Sequence, residues 1–360
     1  LTEDTPLFNF KVKSIIHDYE VCFINNTKES LLNELVEGDF IIVDRKVKDL
    51  YSYELDEVLS MYKHINIDAT EKQKSYQELI PVIQYLIEYG FRKNHRLVGI
   101  GGGIAQDVTA FTSSIMYRGV NWLFYPTTLL AQGDSCIGSK TSINFGDYKN
   151  QVGGFHPPNK IMINLAFLDT LTDAEMKSGM GEMCHYFIVA SEEDFKRFKN
   201  EYPQALKDKE TLSGIIARSL EIKKSYIEID EFDRHKRQVF NYGHSFGHAI
   251  ESLTNYRIPH GIAVSYGMDI ANFVSVKLGY ISEYTRQEIR ELLKEIWNGT
   301  SINDISLDKF SQAISKDKKN VGKELRLILN KGYGKIFKDA VKNDERFISW
   351  LKGYFENELN

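Results

Sequence analysis

An apolar strand that runs straight into a cluster of glycines constrains this chain more than any other feature. Arg96-Leu-Val-Gly-Ile100 reads as a strand, and Gly99-Ile-Gly-Gly-Gly-Ile-Ala-Gln-Asp107 carries it into a helix over about residues 105–117. A strand–glycine turn–helix unit suits a doubly wound sheet. There, glycines let the backbone approach a dinucleotide pyrophosphate, and the first N–H groups of the helix face the anion. Position 104 is Ile, so the spacing is not a clean GxGxxG, and a plain tight turn is the alternative. Asp44 ends the apolar run Phe40-Ile-Ile-Val43. It could hold a ribose hydroxyl, which would favour NAD over NADP, or simply serve a turn.

The same alternation fills the first half of the chain. Val21-Cys-Phe-Ile24, Trp122-Leu-Phe-Tyr125 and Ile161-Met-Ile-Asn164 are β-like runs, with helical spacing between them as in 76–89. Such alternation gives a mostly parallel sheet with helices on both faces. Beyond about Thr172 the spacing turns helical over 174–190, 210–230, 244–254, 261–278, 284–296 and 307–316. The charged tail 332–360 reads as one or two closing helices. The expectation is an α/β domain over 1–173 and an all-α domain over 174–360, two domains being natural for 360 residues. A net charge of −5 argues against a nucleic-acid partner. No apolar run approaches the roughly eighteen residues of a membrane span, and no signal peptide is visible at Leu1–Pro6. Cys22, Cys136 and Cys184 form neither a disulfide framework nor a CxxC pair, so a cytoplasmic setting is expected.

Two stretches carry chemistry. From Arg118 to Asn150 isolated charges (Arg118, Asp134, Lys140, Lys149) stand among Gly, Ser and Thr. That pattern suits a cleft gripping a phosphorylated ligand, although a solvated loop would share it. In the second half, Asn241-Tyr-Gly-His-Ser-Phe-Gly-His248 and Pro259-His260-Gly261 place three of the nine histidines within twenty residues. His244 and His248 share a helix face, and the break at Pro259 lets His260 fold back toward them. The cluster reads as a metal site, an anion site or both; histidines that cap, pack or face water would also account for it. Glu182, in Gly179-Met-Gly-Glu182-Met-Cys-His185, could complete a sphere of two His and one carboxylate. Arg237 and Asn241 share a face if their stretch is helical.

Taken together, these residues resemble the 3-dehydroquinate synthases and the wider sugar phosphate cyclases. The resemblance runs through Gly101–Asp107, Arg118-Gly119, Pro126–Ala131, Asp134-Ser135, Gly138, Lys140, Lys149-Asn150 and Gly179–Glu182. It continues through Asp230-Glu231, Arg237, Asn241–Glu251, His260-Gly261 and Asp317–Lys319. It implies a Rossmann-like doubly wound domain followed by a helical domain, an active site in the cleft between them, and a homodimer. Glu182, His244 and His260 would hold one divalent metal, zinc or cobalt. Asp44, Glu71, Lys74, Gly101, Gly102, Gly103, Asp107, Thr127, Thr128, Lys149 and Thr170 would face NAD. Arg118, Asp134, Lys140, Asn150, His185, Lys223, Arg237, Asn241, His248 and one of Lys318 and Lys319 would bind the sugar phosphate, Arg118 from across a dimer interface. His248, Asp233, Lys140 and Asp134 would be the catalytic groups. The implied reaction is oxidation, phosphate elimination, reduction and an intramolecular aldol closure, with NAD regenerated at each turnover.

The chain departs from the dehydroquinate synthase pattern at four positions. His185 stands where a Lys engages the substrate carboxylate, and an imidazole is shorter and only partly charged near neutral pH. Asp233 replaces a Glu, Ile262 replaces the Glu of His-Gly-Glu, and Ser139 replaces a Gly. These changes point to a divergent cyclase for a ketose or ulosonate phosphate, against an authentic 3-dehydroquinate synthase. A metal-dependent polyol dehydrogenase and a non-catalytic NAD-binding module are the remaining readings.

Overall fold

A computed structural model of the chain describes residues 8–146, 148–315 and 324–359. Its strands are β1 (Phe10–Val12), β2 (Tyr19–Phe23), β3 (Phe40–Asp44), β4 (Lys63–Ile67), β5 (Leu97–Gly101), β6 (Trp122–Pro126), β7 (Lys140–Phe145), β8 (Tyr148–Phe155), β9 (Lys160–Ile163), β10 (Glu324–Asn330) and β11 (Ile336–Lys342). The first helices are α1 (Thr27–Glu34), α2 (Arg45–Leu50), α3 (Ser52–Met61), α4 (Tyr76–Glu88), α5 (Gly103–Ile115), α6 (Asp173–Ala190) and α7 (Glu192–Ala205). They are followed by α8 (Lys209–Ile227), α9 (His244–Leu253), α10 (His260–Lys277), α11 (Glu283–Trp297), α12 (Leu307–Ser315) and α13 (Glu345–Asn357). Two compact units result: Leu1–Leu171 with Asp208–Asp233, and Thr172–Lys207 with Arg234–Asn360.

The first unit is built on a seven-stranded sheet in the order β1-β2-β9-β6-β5-β3-β4. Every neighbouring pair from β2 to β4 is parallel, and only β1 at the edge runs antiparallel. Parallel neighbours require crossovers, and the helices that make them cover both faces. All five residues of β3, β5 and β6 are accordingly buried. Successive side chains point to opposite faces. Ile41, Val43, Val98, Ile100, Leu123 and Tyr125 pack on Leu31 of α1, Val47 of α2 and Leu55, Val58 and Leu59 of α3. On the other face Phe40 meets Tyr85 of α4 and Phe91, and Gly99 admits Thr109 of α5. The doubly wound arrangement expected from the sequence is therefore present. The carboxyl ends of β3, β5 and β6 carry Asp44, Gly101 and Pro126 to one edge, where ligands bind in such sheets.

Two expectations need correction. A single cut at 173/174 misplaces α8, which belongs with the sheet. Its buried Ser219 donates to the Gly133 carbonyl (2.8 Å), and Lys223, one turn on, reaches Asp134. Within residues 118–155, β7 and β8 form an antiparallel hairpin. The tail is not purely helical. β10 and β11 form an antiparallel ribbon before α13, and Leu325, Leu327, Ile328, Leu329 and Asn330 of β10 are buried.

The second unit surrounds α6 and α10, which are buried on all sides over Ser178–Val189 and Gly261–Ser275. α6 starts at a capping box between Thr172 and Glu175. A buried charge cluster ties α13 to α10 and α11. Asp269, with no exposed surface, accepts from Arg286 Nε (3.1 Å), Arg290 Nε (3.0 Å) and the Tyr354 hydroxyl (2.8 Å). Among the described residues no helix is long and apolar enough to cross a membrane.

Candidate functional site

In the second unit, glycines bring three helices into backbone contact. A Cβ on Gly261 would stand 1.8 Å from the Ser178 carbonyl, and one on Gly181 2.3 Å from the Gly261 carbonyl. A Cβ on Gly267 would lie 2.0 Å from the Gly243 carbonyl. Gly243 itself is left-handed (φ +82°) and opens α9. Any side chain at these positions would force the helices apart. Each of these contacts borders a candidate metal residue: Glu182 follows Gly181, His244 follows Gly243 and His260 precedes Gly261.

The three side chains converge as expected. One ligand atom from each of Glu182, His244 and His260 lies within 4.8 Å of the others. His244 Nε2 is 3.3 Å from Glu182 Oε1, and His260 Nε2 is 3.3 Å from Glu182 Oε2. The far nitrogens are also held. His244 Nδ1 donates to the Tyr242 carbonyl (3.2 Å) and His260 Nδ1 to Glu251 Oε2 (3.0 Å). Such outer contacts fix the ring orientation and aim Nε2 inward. Glu251 thus supports His260 although position 262 is Ile. Burial opposes charge on Glu182, yet His244 and His260 hold its carboxyl well below the ordinary range. Burial likewise opposes charge on His260, yet Glu182 and Glu251 raise its imidazole well above its usual value. Negative charge concentrated between imidazoles is the arrangement a cation would stabilise.

The other predicted residues of this unit sit around the set. His248 is exposed, its ring 5.7 Å from that of His260 and 5.5 Å from that of His244. With Glu251 and His260 it makes a second group of ligand-type side chains. Arg237 is buried, and Asn241 Nδ2 donates to the Gln238 carbonyl (3.1 Å) in the short 3-10 helix Lys236–Asn241. His185 is fully buried, packed on Tyr186 (3.9 Å) and edge-on to Phe240 (5.8 Å), with Nδ1 3.8 Å from Glu182 Oε1. It therefore stands against the metal candidates amid aromatic rings. Lys318 and Lys319 lie outside the described residues.

In the first unit the glycine turn is closely fitted. A Cβ on Gly101 would come 2.5 Å from Ala105 Cβ and 3.1 Å from Asp44 Cβ, and one on Gly102 2.8 Å from Thr128 Cγ2. At Gly103 nothing lies within 4 Å, so the start of α5 faces open space, and Gly102 gives that helix no side-chain cap. The Thr127 N–H donates to the Gly101 carbonyl (3.0 Å). The turn thus gathers Asp44, Thr127 and Thr128. Asp44 also caps α2 by accepting from the Lys46 N–H (2.9 Å), so the ribose and turn readings are both available to it. Burial raises its pKa above the ordinary carboxylate value. Thr170 is 3.1 Å from the Tyr51 hydroxyl.

Eight predicted residues of this unit pair with one another, cation to carboxylate. Lys74 meets Asp107 (2.6 Å), Lys149 meets Glu71 (3.2 Å), Lys140 meets Asp233 (2.5 Å) and Lys223 meets Asp134 (2.7 Å). The sequence marked every member of these pairs without showing who paired with whom. Asn150 adopts a positive φ (53°) on β8, and its Oδ1 accepts from Ser142 (3.0 Å). The Ser139 hydroxyl donates to Glu231, which also accepts from Ser14 (2.7 Å) and the Ile15 N–H (2.6 Å). Arg118 is not brought to the set. It follows the far end of thirteen-residue α5, roughly 20 Å from the glycine turn at 1.5 Å per residue. Tyr117, Arg118 and Gly119 all have positive φ (50°, 66° and 113°), which projects an exposed arginine from a strained turn.

Sequence reasoning gave no role to Gln106, Asn144, Tyr242, Asn272 or Asn330. Gln106 and Ser135 bond to each other beside Asp134, and Asn144 Nδ2 donates to Glu71 (2.7 Å). Only Asn272, in Ile270-Ala-Asn-Phe-Val274, carried a signal, an amide inside an apolar stretch.

Comparison with known proteins agrees with this geometry. The family model "3-dehydroquinate synthase N-terminal" matches residues 64–178 and "3-dehydroquinate synthase C-terminal" matches 179–320. The chain is 36% identical to the 3-dehydroquinate synthase of Dictyoglomus thermophilum over 309 residues, 85% of each protein. It is 31% identical over 336 residues to the bifunctional 3-dehydroquinate synthase/phosphatase of Fusobacterium nucleatum, 91% of this chain and 51% of that one. A solved 2-deoxy-scyllo-inosose synthase, complexed with carbaglucose-6-phosphate, NAD+ and Co2+, shares the fold at TM-score 0.84 and 21% identity, covering 97% of this chain and 99% of that one. ValA, the 2-epi-5-epi-valiolone synthase of Streptomyces hygroscopicus with NAD+ and Zn2+ bound, does so at TM-score 0.82 and 22% identity, covering 96% and 98%. An iron-containing alcohol dehydrogenase aligns less well, at TM-score 0.62 and 16% identity over 84% and 92%. The two family models together span residues 64–320, and this chain is a member of the 3-dehydroquinate synthase family.

Proposed function

We propose that the chain is a metal- and NAD-dependent sugar phosphate cyclase, converting a phosphorylated ketose into a carbocycle with loss of inorganic phosphate. The convergence of Glu182, His244 and His260 carries this reading. The donor set fits zinc or cobalt: two imidazole Nε2 atoms flank one carboxylate, and buried Glu182 Oε2 accepts no well-formed hydrogen bond among the described residues. The start of α5 fits a dinucleotide, since its first N–H groups lack a side-chain cap and Gly103 leaves room for a phosphate. Asp44, Glu71, Lys74, Asp107, Thr127, Thr128, Lys149 and Thr170 would line NAD beside that turn. When bound, the metal would acidify a sugar hydroxyl and NAD would take and later return a hydride.

The chain's own groups do the rest. Lys140 and Lys223 leave Asp233 and Asp134 to stabilise negative charge as phosphate departs, and the freed Asp134 and Asn150 hold sugar hydroxyls. Arg237, Asn241 and His248 bind the phosphate, and His248 moves the proton at that end. Arg118 serves the site from a second copy of the chain, because its own turn lies beyond α5. His185, an imidazole among aromatic rings in place of a long-chain ammonium, supports a substrate without the ulosonate carboxylate. The 36% identity to a 3-dehydroquinate synthase supports the second reading, in which the ulosonate is the substrate.

The experiment is phosphate release from 3-deoxy-arabino-heptulosonate 7-phosphate, sedoheptulose 7-phosphate and glucose 6-phosphate with NAD and Co2+. Release from sedoheptulose 7-phosphate supports the first reading, release from glucose 6-phosphate keeps the cyclase but replaces the ketose by an aldose, and release from the ulosonate alone establishes the second. Release from none removes both.

A further inference from the structure

The buried polar groups behind the metal candidates include a phenol that the proposed reaction does not use. Tyr242 has no exposed surface. Its backbone carbonyl accepts from His244 Nδ1 (3.2 Å). Its hydroxyl, on the other side of the residue, donates to Asn272 Oδ1, and Asn330 Nδ2 donates both to that same Oδ1 (3.0 Å) and to the Tyr242 hydroxyl (3.4 Å). Asn272 lies on α10, the helix that opens with His260. Asn330 ends β10; its N–H donates to Ser275 Oγ (3.1 Å), also on α10. One phenol thus links the turn that carries His244 to the helix that carries His260.

A buried tyrosine hydroxyl is costly unless it is partnered, and a closed amide–phenol triangle is stiffer than apolar packing of the same volume. The turn has little other freedom. Gly243 sits 2.6 Å by its would-be Cβ from the Val264 carbonyl, so the backbone of 242–244 rests on α10. We propose that Tyr242 is a positioning residue for the metal site: the Tyr242–Asn272–Asn330 triangle sets the carbonyl that orients His244 relative to His260. Removing the hydroxyl leaves the Asn330–Asn272 bond without its link to the turn, lets the turn shift, and loosens His244 while Glu182 and His260 stay in place. This inference rests on the metal reading of Glu182, His244 and His260.

The test uses purified full-length wild type and Tyr242→Phe, with cobalt(II) affinity measured by chelator competition and coordination read from the visible absorption of bound cobalt. Tyr354→Phe is the control. It removes another buried hydroxyl of the same unit, one that donates to Asp269 (2.8 Å), and so lowers stability without touching the turn. The expectation for Tyr242→Phe is a loss of about tenfold in cobalt affinity, the lower end of what outer partners of ligands contribute, with a changed cobalt spectrum. Tyr354→Phe keeps the wild-type affinity and spectrum. Asn330→Ser, a milder change to the same triangle, gives a smaller loss in the same direction and serves if Tyr242→Phe fails to fold. Equal cobalt affinity and spectra in wild type, Tyr242→Phe and Asn330→Ser, with only melting temperatures altered, would make Tyr242 merely structural and overturn the proposal. Wild type that binds no cobalt removes the metal reading and this inference with it.

Discussion

Glu251→Ala is the perturbation whose effect on the metal site can be worked most directly. Glu251 Oε2 accepts from His260 Nδ1 at 3.0 Å. The contact keeps the proton on Nδ1, leaves Nε2 as the electron-rich nitrogen, and fixes the ring plane toward Glu182. Losing such a partner costs about 10–100-fold in metal affinity, or about 1.4–2.8 kcal/mol. The His260 side chain is 31% exposed, so water can take the place of the carboxylate, and the effect falls toward the tenfold end. Glu251→Gln keeps an acceptor but loses the charge, so its loss is smaller. Chelator competition with cobalt(II) reads both variants against wild type, and NAD affinity serves as a control. Cobalt affinity in Glu251→Ala within twofold of wild type would refute the reasoning that an outer carboxylate organises His260.

Other substitutions separate the histidines. His244→Ala abolishes metal retention, whereas His248→Ala keeps the metal and slows phosphate release; loss of metal in both variants would overturn that division. Metal affinity also depends on pH with a definite sign. The pKa of His260 is raised above its ordinary value, so a proton competes with the cation below that raised pKa, and apparent affinity climbs as pH rises through it. A flat affinity across neutral pH would contradict this. Away from the site, Asp269→Ala leaves buried Arg286 with Glu283 and Glu358, and buried Arg290 with Glu358, as carboxylate partners among the described residues. It should destabilise the second unit by about 3–5 kcal/mol, read by chemical denaturation. A loss under about 1 kcal/mol would mean that the cluster relaxes around the gap.

Much of the fold is legible in local pattern, because its strongest signals are local. β3, β5 and β6 are buried on both faces and read as continuous apolar runs, and the glycines after β5 fix the turn into α5. What escaped depended on partners distant in sequence. α8 has ordinary helical spacing, and nothing in that spacing says that Ser219 and Lys223 bond to residues 133 and 134. In the β10–β11 ribbon, Leu327 to Asn330 are buried in succession, so β10 lacks the alternation that marks a one-faced strand. The same distinction governs the site. Residue types and spacing marked His244, His260 and Glu182, but the closeness of their helices comes from Gly181, Gly243, Gly261 and Gly267 meeting backbone carbonyls. Spacing also grouped His248 with His244, while the structure sets His248 on the outside, beside Glu251. Arg118 follows the far end of α5, which is compatible with the expectation that it serves a site from across a dimer interface.

The central claim is that hydride leaves the sugar and returns to it while phosphate is lost. Its most direct test follows inorganic phosphate and NADH absorbance together, with metal-loaded enzyme, limiting NAD and a turned-over sugar phosphate. The account predicts many phosphates released per NAD and no net NADH. Steady accumulation of NADH from a simple polyol, without phosphate release, would contradict it and identify a dehydrogenase on the same fold.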